Sequence, residues 1–199
     1  MPKLLIASLN PGKLREMRSL LDPLGLSLVD AAQLRLGLAV EETGVDYAAN
    51  ATLKAIAHAQ ASGLWTLADD SGLEVQALDG APGPRSARLA GPNRSDADRR
   101  RLLLSHLQPH PRPWLAQFRC AVALASPQGS VDTAEGVCPG EVIPQERGRR
   151  GFGYDPIFLV EGTGRTMAEL SLKEKNRLSH RARAIQAILP TLKERMGLV

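Results

Sequence analysis

The chain has 199 residues, 43% hydrophobic and 23% charged, a balance that suits a globular enzyme with one sizeable core or two smaller lobes on a shared sheet. No apolar run approaches the ~20 residues needed to cross a bilayer, and Leu4–Ser8 is too short for a signal segment, so a soluble, cytoplasmic protein with no membrane partner is expected. A net charge of +4 suits an anionic partner, while 4% aromatic residues leave few stacking platforms for single strands, and the isolated Cys120 and Cys138 argue against a zinc site or a disulfide framework.

Lys3–Ser8 reads as a short buried strand. The turn Ser8-Leu9-Asn10-Pro11-Gly12-Lys13 follows, then a helix near Lys13–Leu21 with Leu14, Met17, Leu20 and Leu21 on one stripe. A strand that runs through a glycine-containing turn into a helix start offers backbone N–H groups to an anion, and Lys13 adds charge. The spacing is not that of a Walker A loop, and the same residues also make an ordinary turn with a surface lysine. Ser27–Asp30 reads as a second strand. Glu41-Glu42, before Thr43-Gly44, is the first of two acidic pairs. Asp46 can cap a helix from Tyr47 to Ser62 that Gly63 ends, and its alanines at 48, 51, 55 and 59 suggest close packing.

Trp65–Ala68 and Leu73–Ala77 read as strands flanking a polar turn, Asp69-Asp70-Ser71-Gly72, which holds the second acidic pair. Each pair alone could be a solvated turn. Together, beside a phosphate-type loop, their hard oxygen donors suit Mg²⁺, which takes one or two carboxylates and completes its shell with water and phosphate. After a Gly/Pro-rich loop (Asp79–Asn93), Ser95 and Asp98 open a helix to about Leu107, and Pro109–Pro113 is a stiff connector and candidate lobe boundary. Trp114–Ala125 alternates as a half-buried strand, and Pro127-Gln128-Gly129 turns it into Val131–Val137. Gly151-Phe152-Gly153-Tyr154-Asp155-Pro156 leads into a strand at Ile157–Val160. Its aromatics either offer a stacking face to a planar ligand or tuck into the core. Ser171 and Glu174 form a capping box for a C-terminal helical region in which Ser179 could cap a second helix and Pro190 breaks or kinks the chain. Lys175, His180 and Arg181 lie there as donors for a purine carbonyl or phosphates, or as one solvated basic face. Strands alternating with helices early and pairing as hairpins late make the class α/β with a mixed sheet.

SLNPGK (8–13), EETG (41–44), NATLKA (50–55), ADDSGLEV (68–75), GAPG (80–83), SAR (86–88), FGYDPIF (152–158), MAELS (167–171) and EKNRLSHRARA (174–184) occur in one order over nearly the whole chain. In that order they resemble the inosine triphosphate pyrophosphatase family, in its bacterial dITP/XTP branch. The resemblance implies a single domain (1–199), an elongated mixed sheet with flanking helices forming two lobes around a central cleft, and a homodimer. It implies Mg²⁺-dependent hydrolysis of non-canonical purine nucleoside triphosphates (ITP, dITP, XTP) to the monophosphate and pyrophosphate, which cleanses the nucleotide pool. Ser8, Leu9, Asn10, Pro11, Gly12 and Lys13 would cradle the triphosphate, with Lys54 and Asn50 directed toward it from one helix face. Glu41 and Asp70 would hold Mg²⁺, Asp70 would also be the general base, and Ser71 would touch substrate. Phe152, Gly153, Tyr154, Asp155, Lys175, His180 and Arg181 would line the base pocket.

Hypoxanthine and xanthine present an acceptor O6 where adenine presents an amino donor, so donors on Lys175 and Arg181 would favour the former. Backbone around Gly151–Tyr154 would exclude the 2-amino group of guanine. Departures from the family pattern are mild at Ser8 (commonly threonine) and Tyr47 (commonly phenylalanine). Pro84-Arg85, where an aliphatic residue and a tyrosine are usual, puts aromatic packing near Gly80–Gly83 in doubt. Two other readings are a related pyrophosphatase for modified or canonical pyrimidine nucleotides, and a non-catalytic nucleic-acid-binding protein using Arg99–Arg101 and Arg147–Arg150. The acidic pairs oppose the second, since they repel a polyanion, and no stable nucleic-acid complex is expected.

Overall fold

The computed structural model describes residues 1–198. Strand β1 (Lys3–Ala7) leads into helix α1 (Pro11–Leu21) and strand β2 (Ser27–Asp30). Next come α2 (Tyr47–Ser62), β3 (Thr66–Val75), β4 (Pro82–Gly83), α3 (Asp96–Leu107), β5 (Trp114–Ala125) and β6 (Val131–Val142). The chain ends with β7 (Phe158–Val160), α4 (Leu172–Leu178) and α5 (His180–Met196). The strands form one seven-stranded sheet, ordered β2-β1-β3-β5-β6-β7, with β4 paired to β3. Pairing is parallel among β1, β2 and β3 and antiparallel where β4 meets β3 and β7 meets β6, so the sheet is mixed, as the sequence implies. Among the described residues no helix is long and apolar enough to cross a membrane.

The chain divides into two compact units. The first comprises Met1–Asp70, Cys120–Gly136 and the segment from His180 onward; the second comprises Ser71–Arg119 and Val137–Ser179. The connector at 109–113 lies inside the second unit, where it carries α3 into β5. The chain passes between units within β3, β5 and β6, long strands whose two halves belong to different units.

In the first unit the pleat sorts the sheet's residues onto two faces. Leu4, Ile6, Leu67, Cys120, Val122 and Leu124 pack with Met17 and Leu21 of α1 and Ile185, Ile188 and Leu192 of α5. On the other face Ala7, Ala68, Ala123 and Ala125 pack with Ala51, Ala55 and Ala59 of α2, a layer made of methyl groups. The second unit's core gathers Leu73 and Val75, Leu103 and Leu107 of α3, Trp114, Ala116 and Phe118 of β5, and Tyr154 and Phe158, with the Phe118 and Phe158 rings tilted 4.5 Å apart.

Several elements differ from the sequence expectation. Asp69–Gly72 is no turn: β3 runs unbroken through it, because the buried carboxylates find cationic and amide partners. Helix α1 starts at Pro11, with Asn10 as its N-cap and proline at the first helical position, where a missing N–H costs nothing. β6 extends to Val142, and β7 begins at Phe158 because Asp155–Ile157 forms a 3-10 turn. Pro190 does not break α5, which runs on to Met196 with buried Ile188 and Leu192 holding it on either side. Ser179 is extended (φ −69°, ψ 155°) and separates α4 from α5, so Lys175 and His180 stand on different helices.

The methyl layer has no room for a longer side chain. Ala55→Leu should therefore cost about 1–3 kcal/mol by overpacking, read as a lower urea midpoint at unchanged slope; a neutral result would show that α2 can lift off the sheet freely.

Candidate active site

Adjacent residues of a strand point to opposite faces of its sheet. In β3 this sends Asp69 to the face that carries α1 and α5, and Asp70 to the face that carries α2. The two carboxylates therefore meet unlike surroundings.

Asp69 is 1% exposed. Its Oδ2 lies 3.1 Å from Lys13 Nζ, and it accepts from Arg181 Nη2 at 2.9 Å and Nε at 3.1 Å. Arg181, on α5 and equally buried, also donates through Nη1 to Glu16 on α1. Gly136 lets α5 lie directly on β6, since a Cβ there would fall 2.3 Å from the carbonyl oxygen of His180 and 2.4 Å from the nitrogen of Ala184. Burial alone would raise the pKa of Asp69, but Lys13, Arg181 and Lys54 more than reverse this and hold it well below the usual carboxylate range. The neighbouring Cys120 thiol is pushed up to about 12 by burial and by Asp69, so it is neutral and no nucleophile.

Asp70, 4% exposed, faces α2. Asn50 donates from Nδ2 to Asp70 Oδ2 at 3.0 Å, and its own Oδ1 accepts from Gly44 N at 2.8 Å. A Cβ at Gly44 would lie 2.7 Å from that oxygen, so the close approach of the acidic segment to α2 requires glycine. One helical turn on from Asn50, Lys54 Nζ lies 2.8 Å from Glu42 Oε1 and 3.7 Å from Asp70 Oδ1. Burial pushes the Asp70 pKa above the ordinary value, Lys54 and Lys13 pull against it, and Glu42 adds to it. Lys54 is itself raised: burial works against its charge, but Asp69, Asp70 and Glu42 prevail. The acidic pair at 41–42 divides as β3's does. Glu42 turns in to Lys54, whereas Glu41 is exposed and makes no hydrogen bond or ion pair among the described residues.

The loop Ser8–Lys13 joins β1 to α1 at the carboxyl end of the parallel strands. Its backbone is less open to anions than the sequence suggests. Asn10 Oδ1 already accepts from Gly12 N at 2.8 Å and Lys13 N at 3.1 Å, and Pro11 has no N–H. What the loop presents is side chains: the hydroxyl of Ser8, the amide of Asn10 and the ammonium of Lys13. Leu9 is 74% exposed.

The second unit holds the other set. Lys175 on α4 is 4% exposed, its Nζ 2.5 Å from Asp155 Oδ2 and 5.0 Å from the centre of the Phe152 ring. Asp155 Oδ2 also accepts from Phe152 N at 2.9 Å, and a Cβ at Gly151 would fall 1.9 Å from that same oxygen. Of the two aromatics only half-buried Phe152 is placed for stacking. Tyr154 sits in the core with its hydroxyl donating to Ser86 O at 2.8 Å, and burial drives its pKa up. Ser71 is half-buried in β3.

Lys175, Asp155 and Phe152 are thus brought together, and so are Asp70, Lys54 and Asn50. Arg181, expected at the base, spends its guanidinium on Asp69 and Glu16, and His180 is 4% exposed in the first turn of α5. Glu16 has no place in the sequence reading, though it stands at i+3 from Lys13 on one face of a short helix; Glu42 is there as half of an acidic pair, and its pairing with Lys54 is what the structure adds. The basic runs are largely charge-matched: Arg99 pairs with Asp96, Arg100 with Glu146, Arg101 with Asp98 and Arg147 with Glu169, which weakens a nucleic-acid reading.

A model described as the Ham1 family matches residues 4–191. A protein of Desulforamulus reducens named dITP/XTP pyrophosphatase is 44% identical over 96% of this chain and 95% of its own length. One of the same name from Geobacter sulfurreducens is 46% identical over 99% and 98%. Among solved structures, a HAM1 protein from Coxiella burnetii superposes with a TM-score of 0.87 at 40% identity, covering 98% of this chain and all of that one (100%).

The two aspartates should answer oppositely to loss of charge. Asp69→Asn leaves Arg181 and Lys13 without the anion that balances them and should cost about 3–5 kcal/mol. For Asp70 the folded pKa lies above the unfolded one, so its ionisation erodes stability as pH rises from the unfolded value through the folded one. Asp70→Asn should then be neutral or stabilising in urea unfolding at pH 7. Equal losses in the two variants would refute this division.

Proposed function

The chain belongs to the Ham1 family, and we propose that it hydrolyses dITP, XTP and ITP to the nucleoside monophosphate and pyrophosphate. The observation that carries this reading is Asp70, a buried carboxylate whose pKa is raised, held through one oxygen by Asn50 and with Lys54 near the other. That is the state of a general base: fixed, desolvated and more basic than a surface aspartate.

In this reading Asp70 takes a proton from the attacking water while the water's oxygen forms its bond to the α-phosphorus. The bond from that phosphorus to the bridging oxygen breaks, and its electron pair leaves with pyrophosphate. Lys13 and Lys54 offset the charge that gathers on the leaving group, and Ser8 and Asn10 supply hydrogen bonds to the triphosphate. Asp69 is too strongly held by cations to accept a proton; its task is to fix Lys13. Arg181 is assigned to Asp69 and not to the base.

The donor set fits a divalent ion of the Mg²⁺ type. Asp70 is a buried hard-oxygen donor whose pKa burial raises against the pull of Lys54 and Lys13, and Glu41 carries an unengaged carboxylate. An ion of this type takes one or two carboxylates and completes its shell with water and phosphate oxygens. When bound, the ion supplies charge neutralisation on phosphate oxygens and Lewis-acid activation of water.

The base is assigned to Phe152, Lys175 and Asp155. The Phe152 ring offers a stacking face, and the Lys175 ammonium, fixed by Asp155, donates to O6 of hypoxanthine or xanthine. Adenine would place an amino group against that donor, a mismatch of about 1–3 kcal/mol, and backbone at Phe152-Gly153 would exclude a 2-amino group. We place the enzyme in the cytoplasm, with its substrates, as a homodimer, the commonest closed assembly.

Pyrophosphate release from a panel of nucleoside triphosphates, with and without Mg²⁺, tests the reading: dITP and XTP should lead, and a preference for dTTP or UTP would replace it with a pyrimidine enzyme. Asp70→Asn should lower kcat by a factor of about 10² or more with nucleotide binding kept. Glu41→Gln should raise the Mg²⁺ concentration for half-maximal activity by roughly tenfold or more, whereas Glu42→Gln, which frees Lys54, should affect KM instead; the reverse pattern would move the metal to Glu42.

A further inference from the structure

Both peptide groups of Gly153 are held from α3. Asp96, the first residue of that helix, accepts from Gly153 N through Oδ2 at 2.7 Å. One turn on, Arg100 donates from Nη1 to Gly153 O at 2.8 Å. Each holder is itself held. Asp96 Oδ1 accepts from Arg99 Nη1 at 2.5 Å, and Arg100 makes a two-pronged pair with Glu146 through Nε (2.8 Å) and Nη2 (3.1 Å). The helix beneath is anchored by Leu103 and Leu107, both fully buried, and closed at its N-terminus by the Ser95/Asp98 capping box.

Gly153 needs such a grip. It adopts a left-handed conformation (φ +61°) with nothing within 4 Å of where a Cβ would lie, so packing does not immobilise it. It stands between Phe152, the stacking ring, and the Tyr154-Asp155 corner that orients Lys175. Free rotation of its two flanking peptides would turn Phe152 away from Lys175 and blur the backbone edge set against a purine 2-amino group. Within the loop Phe152 O accepts from Asp155 N at 3.1 Å, and the two α3 side chains add one hydrogen bond at each flanking peptide, one of them to a carboxylate and one from a guanidinium, the stronger kind.

We infer that Asp96 and Arg100 are positioning residues that set base selectivity by clamping Gly153 on the base loop. The inference rests on the reading of Phe152–Asp155 as the base end of the site. It places selectivity partly in a helix that supplies no group to the nucleotide, and it gives the Arg99–Arg101 run a task that needs no nucleic acid.

The test compares kcat/KM for dITP and dGTP, with Mg²⁺, in Asp96→Ala, Asp96→Asn, Arg100→Lys and, as control, Asp98→Ala. The control breaks the capping box of the same helix without touching Gly153. The dITP/dGTP ratio should fall roughly tenfold or more in Asp96→Ala. Asp96→Asn, which keeps an acceptor oxygen, should restore much of it. Arg100→Lys should also lose selectivity, because a point ammonium cannot span Glu146 and the carbonyl at once. In Asp98→Ala the ratio should hold even if the melting temperature falls. Hydrogen exchange of the peptide covering 151–155 gives a readout independent of turnover, and it should quicken in the Asp96 and Arg100 variants alone. An unchanged ratio with unchanged exchange, or an equal shift in Asp98→Ala, overturns the inference. If Asp96→Ala does not fold, Asp96→Asn and Arg100→Lys keep the side-chain volume and decide the matter. Failure of the wild type to hydrolyse dITP would instead sink the function proposed above, and the exchange result would still show whether the clamp exists.

Discussion

The site in the first unit depends on the two-residue period of a β-strand. Asp69 and Asp70 are covalent neighbours with the same functional group, yet the pleat of β3 delivers them to opposite faces of one sheet. One face carries Lys13 and Arg181, which bind Asp69 and keep it ionised; the other carries Asn50 and Lys54, which steady Asp70 without cancelling the cost of burying it. A fixed anion and a carboxylate of raised pKa therefore arise from a single dipeptide. A turn at this place, with both carboxylates in water, would leave two ordinary aspartates and neither function.

Compensation runs through every buried charge that matters here. Glu16, Arg181, Asp69 and Lys13 form a sequence of alternating sign that ties α1 and α5 to the sheet. In the second unit Lys175 and Asp155 do the same at smaller scale, and Phe152 covers the ammonium with its ring. Buried pairs of this kind add little to net stability and much to definition, because breaking either member strands the other in a low-dielectric interior. Definition is what a site needs when it must tell one purine edge from another.

Much of this was legible in the sequence, and the failures share a cause. Elements with strong local signals came through: the Asp46 cap and Gly63 stop of α2 and the Ser171/Glu174 box of α4, whereas the half-buried alternation expected along β5 holds only in its first half, Cys120–Ala125 being buried on both faces. Asp69-Asp70-Ser71-Gly72 was misread as a turn because polar residues beside glycine are a turn signal, and what outweighed it was Lys13, Lys54 and Arg181, between 15 and 112 positions away. Pro190 does not break α5, its local cost being offset by the packing of Ile188 and Leu192. In the Ser8–Lys13 loop the sequence shows backbone N–H groups and the side chains of Ser8, Asn10 and Lys13, but not that Asn10 Oδ1 already caps Gly12 N and Lys13 N. Charged residues in a helix are read by default as solvated, and this hid Glu16, Asp96 and Arg100. Local chemistry is written in the sequence; partnership across the chain is not.

The alanine layer under α2 bears on how Asn50 and Lys54 reach their places. A methyl group has no rotamers, so the alanines of this layer lose no side-chain freedom when the helix docks. A leucine-rich seam can trade one set of torsions for another and let a helix settle in several nearby seats. Methyl against methyl offers one seat, set by contact radius alone. The distance from the helix axis to the sheet is then a ruler built of the smallest side chain that still excludes water, and the groups at its working end inherit the accuracy of that ruler.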